Sequence, residues 1–343
     1  MKRHAAGVPV GTPREVAGFR ILRALGGGAS ARVFLAEHPL RHRPVAVKLV
    51  HADLQADTEE LEDLLSAVQR ARGIRHPNLE RLIEVLRAPD GVQIISEYLP
   101  GGSLRERLKT QGRLPAGVAL GVVRHLLAGL SALHARGLVH RDVKPGNVLF
   151  DADGRAVLVD YGLLAPVRAQ PAAAPGDSVL APAAGQGSSR AGQIAGTAAY
   201  MSPEQARGEG CDARADLYSL GVLLFELLTG RLPYPGDDPL LLAELHASAP
   251  VPELPAAVGW LQPLVDGLMA KPLEDRLASA QAAQSVLETL VLAEPAAADL
   301  APRVISQVVR RRDPPRLRRA PQIAAVCLLL AGMAVAVGAL LLR

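Results

Sequence analysis

The chain holds 343 residues, enough for two lobes with extensions, and its 49% hydrophobic and 21% charged residues exclude wholesale disorder. Lys+Arg number 38 against 34 Asp+Glu, and the net charge of +4 excludes a polycation built for nucleic acid. Cys211 and Cys327 lie too far apart in sequence for a disulfide framework or a zinc spacing, which points to a reducing environment.

Residues 1–18 are basic, lack the apolar run of a secretory signal and read as a flexible tail. Short β-like runs follow at 19–22, 31–35 and 44–49, separated by glycine or proline as hairpins are. Residues 56–72 read as a helix, with acids early and arginines late as the helix dipole prefers. Strands are expected again at 82–86 and 92–97. After Tyr98-Leu99-Pro100-Gly101-Gly102 the pattern turns helical, over 116–135, 217–228, 260–269 and 279–292. This order predicts an α+β protein, with a strand-rich lobe at 19–98 and a helix-rich lobe at 99–292.

Two stretches cannot build a core. Residues 166–192 are rich in Ala, Pro, Gly and Ser, and residues 293–321 are rich in Pro, Ala and Arg, the second reading as a linker. Ile323 to Leu342 is a run of 20 residues without a charge. As a helix it would be about 30 Å long, the hydrocarbon thickness of a bilayer. Arg310, Arg311, Arg312, Arg316, Arg318 and Arg319 precede it, opposed by Asp313. The positive-inside rule then predicts a single-pass membrane helix within 322–343, with the bulk of the chain on the cytoplasmic side. The competing reading is a core helix, but core helices rarely lack a polar face along their whole length.

Four short segments carry chemistry. Leu25-Gly26-Gly27-Gly28 joins two strands, where missing Cβ atoms let backbone N–H groups approach phosphate oxygens. Alone it is equally a plain hairpin turn. Lys48 closes the apolar run Val45-Ala46-Val47 and needs an anion there, unless it reaches solvent along a strand edge. It is one of only five lysines among the 38 basic residues, in a chain that otherwise uses arginine. The third segment, His140-Arg141-Asp142-Val143-Lys144-Pro145-Gly146-Asn147, follows a long helix. Its carboxylate can accept a hydroxyl proton, its ammonium can neutralise phosphoryl charge and its amide can ligate a metal. Thirteen residues after Asn147, a strand-like run ends in Asp160-Tyr161-Gly162, which suits a Mg²⁺ ligand.

In this order the segments resemble the eukaryotic-type (Hanks-type) protein kinases, specifically the bacterial membrane-anchored serine/threonine kinases, whose established motif set they match. Further matching pieces are His76-Pro77-Asn78-Leu79, Gly196 to Glu204, Asp216 to Gly221, and Arg276. The resemblance implies a bilobal kinase fold, an activation loop at 160–204, the cofactors ATP and Mg²⁺, and protein substrates bearing Ser or Thr. It implies that Leu25, Gly26, Gly27 and Gly28 cover the phosphates, and that Lys48 holds them. Val33, Ala46, Leu149 and the backbone of Glu97 and Leu99 would enclose adenine. Asp142 and Lys144 would be catalytic, and Asn147 and Asp160 would ligate the metal. Lys144 and Thr197 fit the serine/threonine pattern rather than the tyrosine one. Glu204 and Arg276 resemble a buried structural pair, and Asp216 an acid bracing the catalytic loop. Self-association with autophosphorylation at Ser178, Ser188 or Ser189 is also expected, with Arg141 pairing the phosphate.

Three departures stand out. Ala31 replaces the third glycine of the loop, and Tyr161 replaces phenylalanine. More seriously, Ala67 occupies the place where the family carries a helix glutamate that pairs with the strand lysine. The nearest acids are Glu62 and Asp63. An active protein kinase is therefore weighed against a nucleotide-binding pseudokinase serving as a membrane-tethered scaffold, and against a small-molecule phosphotransferase. Without its glutamate, Lys48 is expected to be neutralised, solvated or paired elsewhere.

Overall fold

A computed structural model of the chain describes residues 15–16, 18–27, 31–51, 58–88, 91–160, 165–166, 196 and 198–294. All of them lie in the first of the two units into which the chain divides, 1–310 and 311–343. Residues 167–192 of the low-complexity stretch, residues 295–321 of the Pro/Ala/Arg-rich linker and the run from Ile323 to Leu342 fall outside the described residues, as do Gly28, Tyr161, Gly162 and Thr197.

Alternating apolar residues fold the first lobe into an antiparallel sheet of six strands, ordered β1-β2-β3-β4-β6-β5. The strands are β1 (Glu15–Val16), β2 (Phe19–Gly27), β3 (Ala31–Glu37), β4 (Pro44–His51), β5 (Leu82–Ala88) and β6 (Gly91–Glu97). β1 corrects the expectation of a tail through residue 18: Val16 pairs with Phe19, and both side chains are buried. In β4, Val45 and Val47 bury one face against Phe19, Ile21, Phe34 and Ile95. The period of two turns Ala46 and Lys48 to the other face. There Lys48 lies opposite Val33 of β3 and Ile94 of β6, in the middle of the sheet.

Helix α1 (Thr58–Arg72) packs on β5 and contributes Leu65, Ala67, Val68 and Ala71 to a core that continues into the second lobe. That lobe is built around the helix Ala213–Thr229, which buries residues on every side and so occupies the centre rather than a surface. Asp212 caps its start by accepting the Arg214 backbone N–H at 2.8 Å, and Gly230 ends it in the left-handed conformation. Gly221 allows the close approach of the helix Gln262–Met269: a Cβ there would lie 2.7 Å from Met269 Cγ and 2.8 Å from Leu268 Cβ.

Helices α2 (Leu104–Gln111) and α3 (Ala116–His134) and the helix Ala280–Ala293 complete the helical wall. Among the described residues, α3 alone is long and apolar enough to cross a bilayer, yet its apolar residues pack against the helices Ala213–Thr229 and Ala280–Ala293. Two helices go beyond the sequence reading. α2 starts at a capping box in which Ser103 and Glu106 exchange side-chain-to-backbone hydrogen bonds. Pro239–Ser248 follows the cap Asp238, and its exposed Leu240 and Leu241 break the expected amphipathic pattern.

Candidate active site

The loop after β7 (Leu138–Val139) is held by a carboxylate from the buried centre of the second lobe. Asp216 accepts the backbone N–H groups of His140 at 2.8 Å and Arg141 at 2.7 Å, and His134 Nε2 lies 2.8 Å from it. Burial pushes the Asp216 carboxyl up, but the bond from His134 and the charges of His134 and His140 outweigh it, so the group is held below the usual carboxylate range. The bonds also stabilise Arg141 at φ 66°, a left-handed conformation that a non-glycine residue adopts only when its surroundings enforce it.

That turn aims Asp142 at its neighbours. Lys144 Nζ lies 2.8 Å from Asp142 Oδ1, and Asn147 Nδ2 donates to Asp142 Oδ2 at 2.7 Å and to its carbonyl at 2.9 Å. Both carboxylate oxygens are engaged, so the side chain is oriented before any substrate arrives. Asn147 uses its amide N–H groups for these bonds, leaving the amide oxygen to serve as a ligand. It lies in the turn Pro145–Asn147, which leads into the hairpin β8 (Val148–Phe150) and β9 (Ala156–Leu158).

The hairpin returns the chain to the same site. Val159 N–H donates to the Asn147 carbonyl at 2.9 Å, and His140 Nε2 lies 3.1 Å from the Val159 carbonyl. Asp160 follows at φ 75° and forms an ion pair with Lys48, joining the sheet of one lobe to the strand end of the other. Lys48 thus resolves the expectation raised by Ala67: it is paired elsewhere. Ala67 is fully buried in the core, and the side chains of Glu62 and Asp63 lie outside the described residues.

The remaining residues expected to meet the nucleotide lie in the sheet, in the connector after β6 and in the β8–β9 hairpin. Gly26 and Gly27 at the end of β2 pair with Val33 and Arg32, and Leu25 is exposed beside them. Ala46 is in register with Ser96, and Leu149 with Val157. Glu97 N–H is taken by the Arg81 carbonyl at 3.0 Å. A cavity of about 470 Å³ lies by the connector, lined by His76, Pro77, Glu97 and Leu99 among others, but it includes none of Lys48, Asp142 or Asp160. The Glu204–Arg276 pair is present and buried, at 2.8 Å and 3.1 Å.

One acid in the cluster escaped the sequence reading. Glu80, just before β5, accepts the Asp160 backbone N–H at 3.0 Å and a hydrogen bond from Ser96. Burial of its carboxyl end holds it above the usual carboxylate range, against the pull of these bonds and of the Lys48 charge. An acid at the start of an apolar strand looks like an ordinary surface residue. Only the vacancy at position 67 offered a reason to look for a substitute.

A family model described as the protein kinase domain matches residues 19–287. The chain belongs to the protein kinase family. It is 36% identical over 272 residues to serine/threonine-protein kinase pkn2 of Myxococcus xanthus, covering 76% of this chain and 31% of that protein. It is 33% identical over 242 residues to serine/threonine-protein kinase PrkC of Bacillus subtilis, covering 71% and 34%. Against serine/threonine-protein kinase PknL of Mycobacterium bovis it is 37% identical over 280 residues, covering 79% and 65%. The chain therefore spans between 31% and 65% of the length of these relatives.

Proposed function

We propose that the chain is an ATP-dependent serine/threonine protein kinase that transfers the γ-phosphoryl group to protein hydroxyls. The observation that carries this reading is the cluster in which Asp142 is bonded by Lys144 and Asn147, while Asp160 meets Lys48 from the opposite lobe. Asp142 orients the attacking hydroxyl and accepts its proton. Lys144, already beside that carboxylate, offsets negative charge as it develops on the transferring group. Lys48 anchors the other phosphates, and the backbone of Gly26 and Gly27 leaves room for them above the sheet.

The donor set fits Mg²⁺. Asn147 and Asp160 supply hard oxygen donors, and the described residues hold no group of three or more His, Cys, Asp or Glu able to bind a metal. Mg²⁺ commonly takes one or two protein ligands and completes its shell with phosphates and water. When bound, the ion neutralises phosphate charge. The ion pair between Lys48 and Asp160 weighs against the scaffold reading, because the lysine that position 67 leaves without its usual partner still has an acid.

The names of the relatives support the serine/threonine class, as do Lys144 and Thr197 in the sequence. We further infer, from the sequence, a membrane helix at 323–342 that holds the kinase domain at the cytoplasmic face of the membrane, with self-association favouring autophosphorylation. Incubating the full chain with Mg²⁺ and γ-labelled ATP, then identifying the labelled residues, tests the reaction. Phosphoserine or phosphothreonine on the chain or on a basic protein is expected. Labelled nucleotide binding without any protein label would instead establish the scaffold.

A further inference from the structure

Lys48 carries its charge in the middle of a sheet, with Val47 buried beside it and Ile94 opposite. Its visible partner, Asp160, is also the carboxylate proposed above to ligate the metal, and the inference here rests on that reading. If Asp160 turns to a cation, Lys48 needs a second acid to stay in place. Position 67 of α1 cannot supply it, being alanine and fully buried.

Glu80 is placed to do so. Leu79 bridges Leu158 in parallel, Leu158 N–H donates to the Asn78 carbonyl at 3.0 Å, and Glu80 N–H donates to the Leu158 carbonyl at 2.9 Å. Asn78 Nδ2 adds a bond to the Ala156 carbonyl at 2.9 Å. Residues 78–80 therefore run as a short ladder beside 156–160, and the ladder ends with Asp160 N–H on Glu80 Oε2 at 3.0 Å. The same carboxylate bonds Ser96, whose strand neighbour β4 carries Lys48, and lies within electrostatic reach of the Lys48 ammonium.

We propose that Glu80 is the positioning residue for both Lys48 and Asp160, taking from the segment before β5 the part that an acid on α1 would otherwise play. It fixes Asp160 through the backbone N–H, and through Ser96 it is tied to the strand beside the one that carries Lys48. The consequence differs from that of a helix acid. A glutamate at 67 would move with α1, whereas Glu80 is tied by backbone hydrogen bonds to the segment that carries Asp160. The acid is therefore tied to the segment that carries the metal ligand and not to α1.

The test is a four-way comparison of Mg²⁺-dependent binding of a fluorescent ATP analogue to the full chain, Glu80→Gln, Lys48→Met and the double variant. Glu80→Gln is expected to weaken binding about tenfold where Lys48 is present and less than about twofold in the Lys48→Met background. Equal losses in the two backgrounds, or no loss in either, would overturn the proposal, since a merely structural role does not depend on Lys48. If Glu80→Gln does not fold, Glu80→Asp replaces it in the same comparison. The shortened carboxylate is expected to give a loss larger where Lys48 is present than in the Lys48→Met background, and equal losses in the two overturn the idea. A wild-type chain that binds as described but transfers no phosphate refutes the kinase reading and leaves the role of Glu80 standing. An active kinase with no Lys48-dependent loss does the reverse.

Discussion

The Asp216 carboxylate receives the Arg141 backbone N–H at 2.7 Å, and through that bond a buried helix fixes the direction in which Asp142 points. The helix Ala213–Thr229 buries residues on every side, so the catalytic loop is referenced to the packed centre of its lobe. Asp216→Ala leaves two backbone donors and His134 without their acceptor. A loss of about 3–5 kcal/mol of stability is expected, together with a fall in kcat. Chemical denaturation and steady-state rates on the same variant check both.

His246 gives the second lobe an acid-sensitive lock. It is fully buried, with Tyr218 Oη 3.0 Å from Nδ1 and the Ala199 carbonyl 3.1 Å from Nε2. Burial and the nearby charge of Lys271 lower its pKa from 6.5 to about 3. The folded state thus keeps the ring neutral while the unfolded chain takes up a proton below pH 6.5. Stability from this group is complete above pH 6.5 and is lost as pH falls toward about 3, at up to roughly 1.4 kcal/mol per pH unit. Melting curves between these limits should show a shallower acid slope for His246→Gln than for the wild type. Identical slopes would contradict the assignment.

Much of this architecture is legible in the sequence, and the failures have physical causes. The strands of the first lobe follow from alternation of residues such as Val45, Ala46, Val47 and Lys48, and the catalytic loop from residue types at fixed spacing. Helix α2 was missed although the capping box of Ser103 and Glu106 is a local signal. Glu80 carries no such signal. Its role depends on a backbone ladder to residue 158 and a bond to residue 160, contacts across some eighty positions that no local pattern records. The partner of Lys48 was hidden for the same reason, since Asp160 lies 112 residues away.

Arg141 offers a test of control by phosphorylation. Its Nε is buried without a hydrogen-bond partner among the described residues. A phosphate on the loop that carries Ser178, Ser188 and Ser189 supplies the acceptor oxygens and negative charge that such a guanidinium donates to. Phosphopeptide mapping of active protein is expected to find at least one of these serines modified. Replacing all three with alanine should lower activity, and an unmodified loop in an active preparation would remove the idea.

The run from Ile323 to Leu342 sets the expected location. The full chain should remain with membranes through high-salt and alkaline carbonate washes, which strip proteins held only by charge. A chain ending before Arg310 should be released. Full-length protein recovered in the carbonate supernatant would exclude a spanning helix.

The central claim is that Asp142, oriented by Lys144 and Asn147, activates the substrate hydroxyl. Single-turnover phosphoryl transfer at saturating Mg²⁺ and ATP, comparing the wild type with Asp142→Asn, tests it most directly. The side chain keeps its shape but can no longer accept a proton, so the rate should fall by roughly 10²–10⁴-fold while nucleotide affinity changes little. A variant that transfers phosphate at close to the wild-type rate would contradict the account.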